Sequence, residues 1–134
     1  MRQTAPLAWA LLGSLLLLSG GCQRLDDERT VQLAPTQVHT IQFDAPRSDQ
    51  KVTVTMSSPG ALVEVYVVLE QNREAAVQSL DQGKRPAKEQ ILASSEKTEE
   101  ATLEATVPAR SAFAVLLNSK AGKTAQVKVK VTGR

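Results

Sequence analysis

The chain has 134 residues, a net charge of +2, 42% hydrophobic and 3% aromatic residues, one Cys and one His. One cysteine excludes a disulfide framework, and one Cys with one His cannot supply the roughly four ligands of a Cys/His zinc site. The length favours one domain. Its charges are interspersed rather than gathered into the basic face that a nucleic-acid binder shows, so nucleic acid is not an expected partner.

The N-terminus reads as an address. Arg2 is followed by an apolar run from Leu7 to Leu18 and then by the small residues Ser19, Gly20 and Gly21. This is the order of a secretory signal over residues 1–21. The run is shorter than the roughly 20 residues that a membrane-crossing helix needs, so it implies export. Loss of Arg2 with the signal leaves a nearly neutral mature chain. It also removes Trp9, leaving Tyr66 as the one strong chromophore near 280 nm.

The next residue is Cys22. Leu18-Ser19-Gly20-Gly21-Cys22 resembles the lipobox of bacterial lipoproteins, with Ser19 where that family usually has Leu. The resemblance implies that Cys22 is the lipidation site and first mature residue. Acyl chains on its thiol would hold the protein to membrane lipid, at about 0.8 kcal/mol per buried CH₂. Gln23, in place of an inner-membrane retention Asp, is compatible with outer-membrane delivery. The implied location is the cell envelope, in the periplasm or at the cell surface. The small residues also suit an ordinary signal peptidase, which would make the protein simply secreted.

Residues 22–29 are polar, charged and aperiodic, the pattern of a short tether, and the domain is expected over 30–134. Thr30 to Ala34 and Gln37 to Phe43 are weak strand candidates, punctuated by Pro35 and Pro46. Val52, Val54 and Met56 alternate with polar residues, and Ser57 to Gly60 forms a turn. Leu62 to Leu69 is apolar on both faces, interrupted only by Glu64, as a central strand is. Asn72 to Gly83 carries helix signals, with Asn72 as N-cap and Ala76, Val77 and Leu80 along one face. With the charged loop to Glu89 it forms an insertion that is expected to cap one end of the domain. Gln90 to Ser94 is another weak strand. Ala101 to Val107 and Val127 to Val131 alternate with polar residues, and Phe113, Val115 and Leu117, alternating with Ala112, Ala114 and Leu116, form a second well-buried strand, with Pro108 to Arg110 and Asn118 to Lys123 as turns. About eight short strands and one short helix predict an all-β fold, an antiparallel jelly-roll-like sandwich.

Four of these segments resemble the bacterial pre-peptidase C-terminal domain, a β-sandwich appended to secreted enzymes. They are Ile41 to Phe43 with Lys51 to Thr55, Val63 to Leu69, Ile91 to Ser95 with Ala101 to Ala109, and Phe113 to Leu117 with Val127 to Val131. Arg110 stands where that family usually has Gly. The acidic residues that bind calcium in some members have no counterpart around Leu62 to Val65, so the likeness implies a fold and no calcium.

No catalytic constellation is legible. His39 lacks an evident nucleophile and orienting acid, and no Ser lies in a Gly-x-Ser-x-Gly elbow. Asp26-Asp27 and Glu99-Glu100 are adjacent pairs that read as solvating charges, whereas glycosidic chemistry needs carboxyls facing across a cleft. Scarce aromatics disfavour sugar or base stacking. The expectation is a non-enzymatic envelope protein without cofactor or metal, whose partner is another envelope protein or polymer. A small-ligand carrier, holding its ligand between the insertion and the sandwich, is the alternative. The carrier reading requires an apolar pocket beneath the insertion, and the interaction reading an exposed apolar patch.

Overall fold

The computed structural model describes residues 24–134, so the signal, its cleavage point and Cys22 lie outside the described residues. Eight strands follow in chain order: β1 (Leu25–Leu33), β2 (Val38–Phe43), β3 (Gln50–Ser57), β4 (Val63–Leu69), β5 (Ala93–Thr98), β6 (Glu100–Val107), β7 (Phe113–Ser119) and β8 (Ala125–Gly133). One α-helix, α1 (Glu70–Asp81), separates β4 from β5. No helix among the described residues is long and apolar enough to cross a membrane.

The strands form two four-stranded antiparallel sheets, ordered β1-β8-β3-β6 and β2-β7-β4-β5. Chain neighbours β1 and β2 fall in different sheets, as do β3 and β4, β5 and β6, and β7 and β8. This repeated crossing is the jelly roll expected from the strand count. Alternation decides which side chains fill the space between the sheets. Val52, Val54 and Met56 of β3, Leu103, Ala105 and Val107 of β6, and Val127, Val129 and Val131 of β8 point inward from the first sheet. Val63, Val65 and Val67 of β4 and Phe113, Val115 and Leu117 of β7 meet them from the second. Phe43 stacks on Phe113 at one end of this core, with ring centroids 4.9 Å apart.

Two turns carry clear local causes. The β3–β4 turn places Gly60 at φ +80°, a region that favours glycine, and the Glu99 carboxylate accepts its N–H at 2.8 Å. At the end of α1, Gly83 has φ +75°, Lys84 N–H donates to Ser79 O at 2.8 Å, and Gly83 N–H donates to Leu80 O at 3.0 Å. These two bonds are the Schellman arrangement that satisfies orphan helix carbonyls.

Four expectations need correction. Residues 25–29 are not tether: β1 begins at Leu25 and pairs with β8 along its whole length, from Leu25 opposite Gly133 to Leu33 opposite Ala125. The hydrophobic pattern hides this half because Asp27 and Arg29 share the inward parity of Val31 and Leu33. They neutralise each other there, through two hydrogen bonds of 2.9 and 3.1 Å. The helix begins at Glu70, straight out of β4, with extended Leu69 as a cap that offers no side-chain bond. Arg73 instead grips Glu70 across the first turn at 2.7 Å. Nor does the helix cap an end of the sandwich. It lies on the outer face of the second sheet, against β7, β4 and β2. Further along, the strand expected at Gln90 to Ser94 is displaced to β5, and Lys88–Gln90 forms a single 3₁₀ turn.

Candidate functional site

β4 and β7 are apolar on both faces, so their outward side chains also need cover. Tyr66 and Val68 of β4 and Ala114 and Leu116 of β7 form a second apolar layer, onto which Ala76 and Leu80 of α1 pack. All six are buried. Among the described residues, the space beneath the helix is filled by these six side chains. An exposed apolar patch is lacking, because Leu62 is the one exposed large hydrophobic among the described residues.

The helix covers only part of this face. Beyond its C-terminal end the outward row continues as Glu64 on β4 and Asn118 on β7, which stand opposite each other. Here a polar cleft of about 290 Å³ opens, lined by Glu64, Tyr66, Gly83, Lys84, Arg85, Glu96, Lys97 and Lys120. Its floor is a connected network. The Glu64 side chain is 12% exposed, accepts a hydrogen bond from Asn118 Nδ2 at 3.0 Å, and lies 3.8 Å from Lys120 Nζ. On the opposite wall Arg85, from the loop after α1, pairs with Glu96 of β5 and donates to Ser94 Oγ at 3.2 Å. Lys84 and Lys97 make no ion pair among the described residues, which leaves the rim with a cationic excess.

Tyr66 joins the two layers. Its ring is buried beneath the helix, while its hydroxyl belongs to the cleft. Burial, reinforced by the Glu64 carboxylate, pushes its pKa up to about 12. At neutral pH the phenol therefore stays protonated and gives up its proton reluctantly. The cleft holds hydrogen-bond donors and fixed charges, but no nucleophile paired with a histidine.

The residues singled out from sequence do not meet there. Cys22 lies outside the described residues. His39 is half-buried on edge strand β2 opposite Leu117, with the inward parity of Ile41 and no side-chain hydrogen bond among the described residues. Asp27 is held by Arg29, and Glu99 by the Gly60 N–H. No three His, Cys, Asp or Glu side chains gather as a metal site among the described residues. The cleft itself had one sequence signal, the lone carboxylate of Glu64 inside an apolar strand. Its partners Asn118, Lys120 and Arg85 come from distant segments that only strand register and the helix bring together.

A second opening, of about 400 Å³, lies at the end of the sandwich where β1 begins, between Arg24 to Arg29 and Gln42 to Pro46. The partly exposed pair of Asp27 and Arg29, on the inward parity of β1, lines it.

No protein-family model matches the chain, and no curated protein matches it in sequence. Solved structures do match in fold. One is a Yersinia pseudotuberculosis-derived mitogen, aligned over 82% of this chain and 86% of its own with a TM-score of 0.56 and 6% identity. At that identity the likeness is one of fold, and it agrees with the two-sheet β architecture described above.

Proposed function

We propose that the protein is exported and anchored to an envelope membrane by acyl chains on Cys22, and that its jelly roll has a non-catalytic binding or structural role there. The observation that carries this reading is the apolar run to Leu18 and Ser19-Gly20-Gly21-Cys22, placed immediately ahead of a domain whose first strand starts at Leu25. Its partners are membrane lipid, through Cys22, and another envelope protein or polymer, met through polar surface, since Leu62 is the one exposed large hydrophobic among the described residues. The strand alternation from Ile41 to Val131 supports kinship with the pre-peptidase C-terminal sandwich, as an architecture without calcium. Labelling with a radioactive fatty acid tests the anchor. The wild type should incorporate label and fractionate with membranes, whereas Cys22→Ser should stay unlabelled as an unprocessed precursor. Release of unlabelled wild type into the medium would leave ordinary secretion as the correct reading.

The polar cleft favours one further role, that of carrier or receptor for a small polar ligand rather than an apolar one. Cross-linking from a photoreactive group at position 84 in intact cells should capture that partner. The same group at position 102, on the bare first sheet, should not.

A further inference from the structure

If Cys22 carries acyl chains, the end of the sandwich nearest to it has little freedom. Three peptide steps separate Cys22 from Leu25, and a fully extended chain spans at most about 3.6 Å per residue. The start of β1 is therefore held within roughly 11 Å of the anchored backbone, less than half the width of a small domain. Strand register identifies what shares that end. Leu25 lies opposite Gly133, Gly133 also pairs with Val52, and Gln50 pairs with Val107. The β2–β3 loop (44–49) and the β6–β7 loop (108–112) close the same end.

These loops are bound to each other. Arg110 N–H donates to Pro46 O at 2.7 Å, and Ala109 N–H donates to the Asp49 carboxylate at 2.9 Å. Arg134 exchanges backbone bonds of 3.1 and 3.2 Å with Lys51. From this frame Arg24, Arg47, Arg110 and Arg134 stand exposed, and none pairs with a carboxylate among the described residues. Asp44 and Asp49 lie among them, but Asp49 is committed to the Ala109 N–H. Arg110 has φ +65°, a conformation that favours glycine, so a strained backbone presents this guanidinium outward. The neighbouring edge of the first sheet has no such cationic excess: on β1 Arg29 pairs with Asp27 and Lys128 of β8 approaches Glu28, so the edge is left acidic by Asp26, which has no ion pair among the described residues.

We propose that this arginine-bearing end is a membrane-facing surface, which docks on anionic phospholipid while the acidic β1 edge and the polar cleft remain in water. The inference rests on the anchored reading of Cys22 and adds an orientation to it. Short reach places the end at the headgroups, and charge selects the end over the β1 edge. Guanidinium groups suit phosphate because their planar donors can bind two oxygens together.

The test uses the lipidated protein in vesicles of phosphatidylcholine with one-third phosphatidylglycerol. A fluorophore is attached through Ser48→Cys, in the β2–β3 loop, or through Gly122→Cys, in the β7–β8 loop at the other end. Iodide quenching at position 48 should fall at least threefold on reconstitution, with little change at position 122. Reversing Arg24, Arg47 and Arg110 to Glu should restore quenching at 48, with circular dichroism confirming the fold. An acylated protein whose two positions are equally open to iodide overturns the inference and leaves the anchor standing. Shielding at 48 that survives the three reversals overturns the role given to the arginines. A chain without acyl label that does not sediment with vesicles overturns the anchored reading and this orientation together.

Discussion

The two outer faces of the sandwich differ more than the two inner ones. Outside the first sheet stand Lys51, Thr55, Thr102, Glu104, Lys128 and Lys130, all exposed, from strands that alternate without a break. Outside the second stand Tyr66, Val68, Ala114 and Leu116, all buried under α1, and beyond them the half-buried Glu64. An antiparallel sheet with clean alternation can leave one face to water, whereas a sheet apolar on both faces needs a second layer. The contrast explains why the helix lies between β4 and β5 and seats where it does. It also explains the cleft, which opens where the outward row changes from apolar to polar and the helix has ended.

Leu116 and Thr55 test the contrast most directly. Each points outward from a central strand, one under the helix and one into solvent. Leu116→Ala should cost about 2–5 kcal/mol, because the cavity it leaves is enclosed by helix and sheet. Thr55→Ala should cost no more than about 1 kcal/mol, the span of strand propensity at an open site. Urea unfolding of the signal-free chain measures both. Equal costs would mean that α1 is loosely seated and that the faces do not differ as described.

Tyr66 sharpens the comparison through pH. A phenol whose pKa rises from 10.0 to about 12 on folding keeps its proton more firmly in the folded state than in the unfolded one. Its contribution is complete below about pH 10 and is lost as pH climbs toward 12, where the unfolded chain ionises first. Two pK units correspond to about 3 kcal/mol at most. Absorbance at 295 nm should therefore rise together with loss of the fold, at a midpoint above that of free tyrosine. Tyr66→Phe should flatten this alkaline limb relative to the wild type. Ionisation of Tyr66 at about pH 10 with the fold intact would show its hydroxyl to be open to water.

Much of this contrast was legible in the strands themselves. Unbroken alternation in β3, β6 and β8 predicted one buried and one wet face, the double-sided run of β4 predicted a central strand, and the run of β7 a second well-buried one. Three features escaped for physical reasons. Asp27 and Arg29 neutralise each other at inward positions, so β1 reads as tether from Leu25 to Arg29. Helix α1 starts on Leu69 without a capping side chain, so Asn72 looked the better start. β5 is a polar edge strand, Ala93 to Thr98, with no apolar rhythm to register. The cleft was visible only as Glu64, an interruption in an apolar run. Its meaning depends on Asn118, 54 positions away along the chain, which no local pattern connects to it.

Asn118 gives the next, smaller effect. The residue is 5% exposed, and its amide donates to Glu64. Asn118→Ala should cost about 1–3 kcal/mol, the penalty for leaving a half-buried acceptor short of a donor. Asn118→Asp should cost more, because it sets a second carboxylate against Glu64. Thermal unfolding of the pair decides whether the floor of the cleft is a structural network or an incidental contact.

The smallest effect belongs to the first sheet. Lys128 approaches Glu28 at 3.7 Å and Lys51 approaches Glu104 at 3.7 Å, with all four side chains at least half exposed. Water and salt screen such pairs, and holding two long side chains together costs rotamer freedom. Removing either partner should change stability by less than about 0.5 kcal/mol, and a double-mutant cycle on Lys128 and Glu28 should give a coupling near zero at physiological salt. The same cycle on Glu64 and Lys120 should give a larger coupling, because Glu64 is almost out of water. If the two couplings proved equal, burial would not be what separates the faces. The cleft would then be no better organised than the open ladder of charges on the other side of the sandwich.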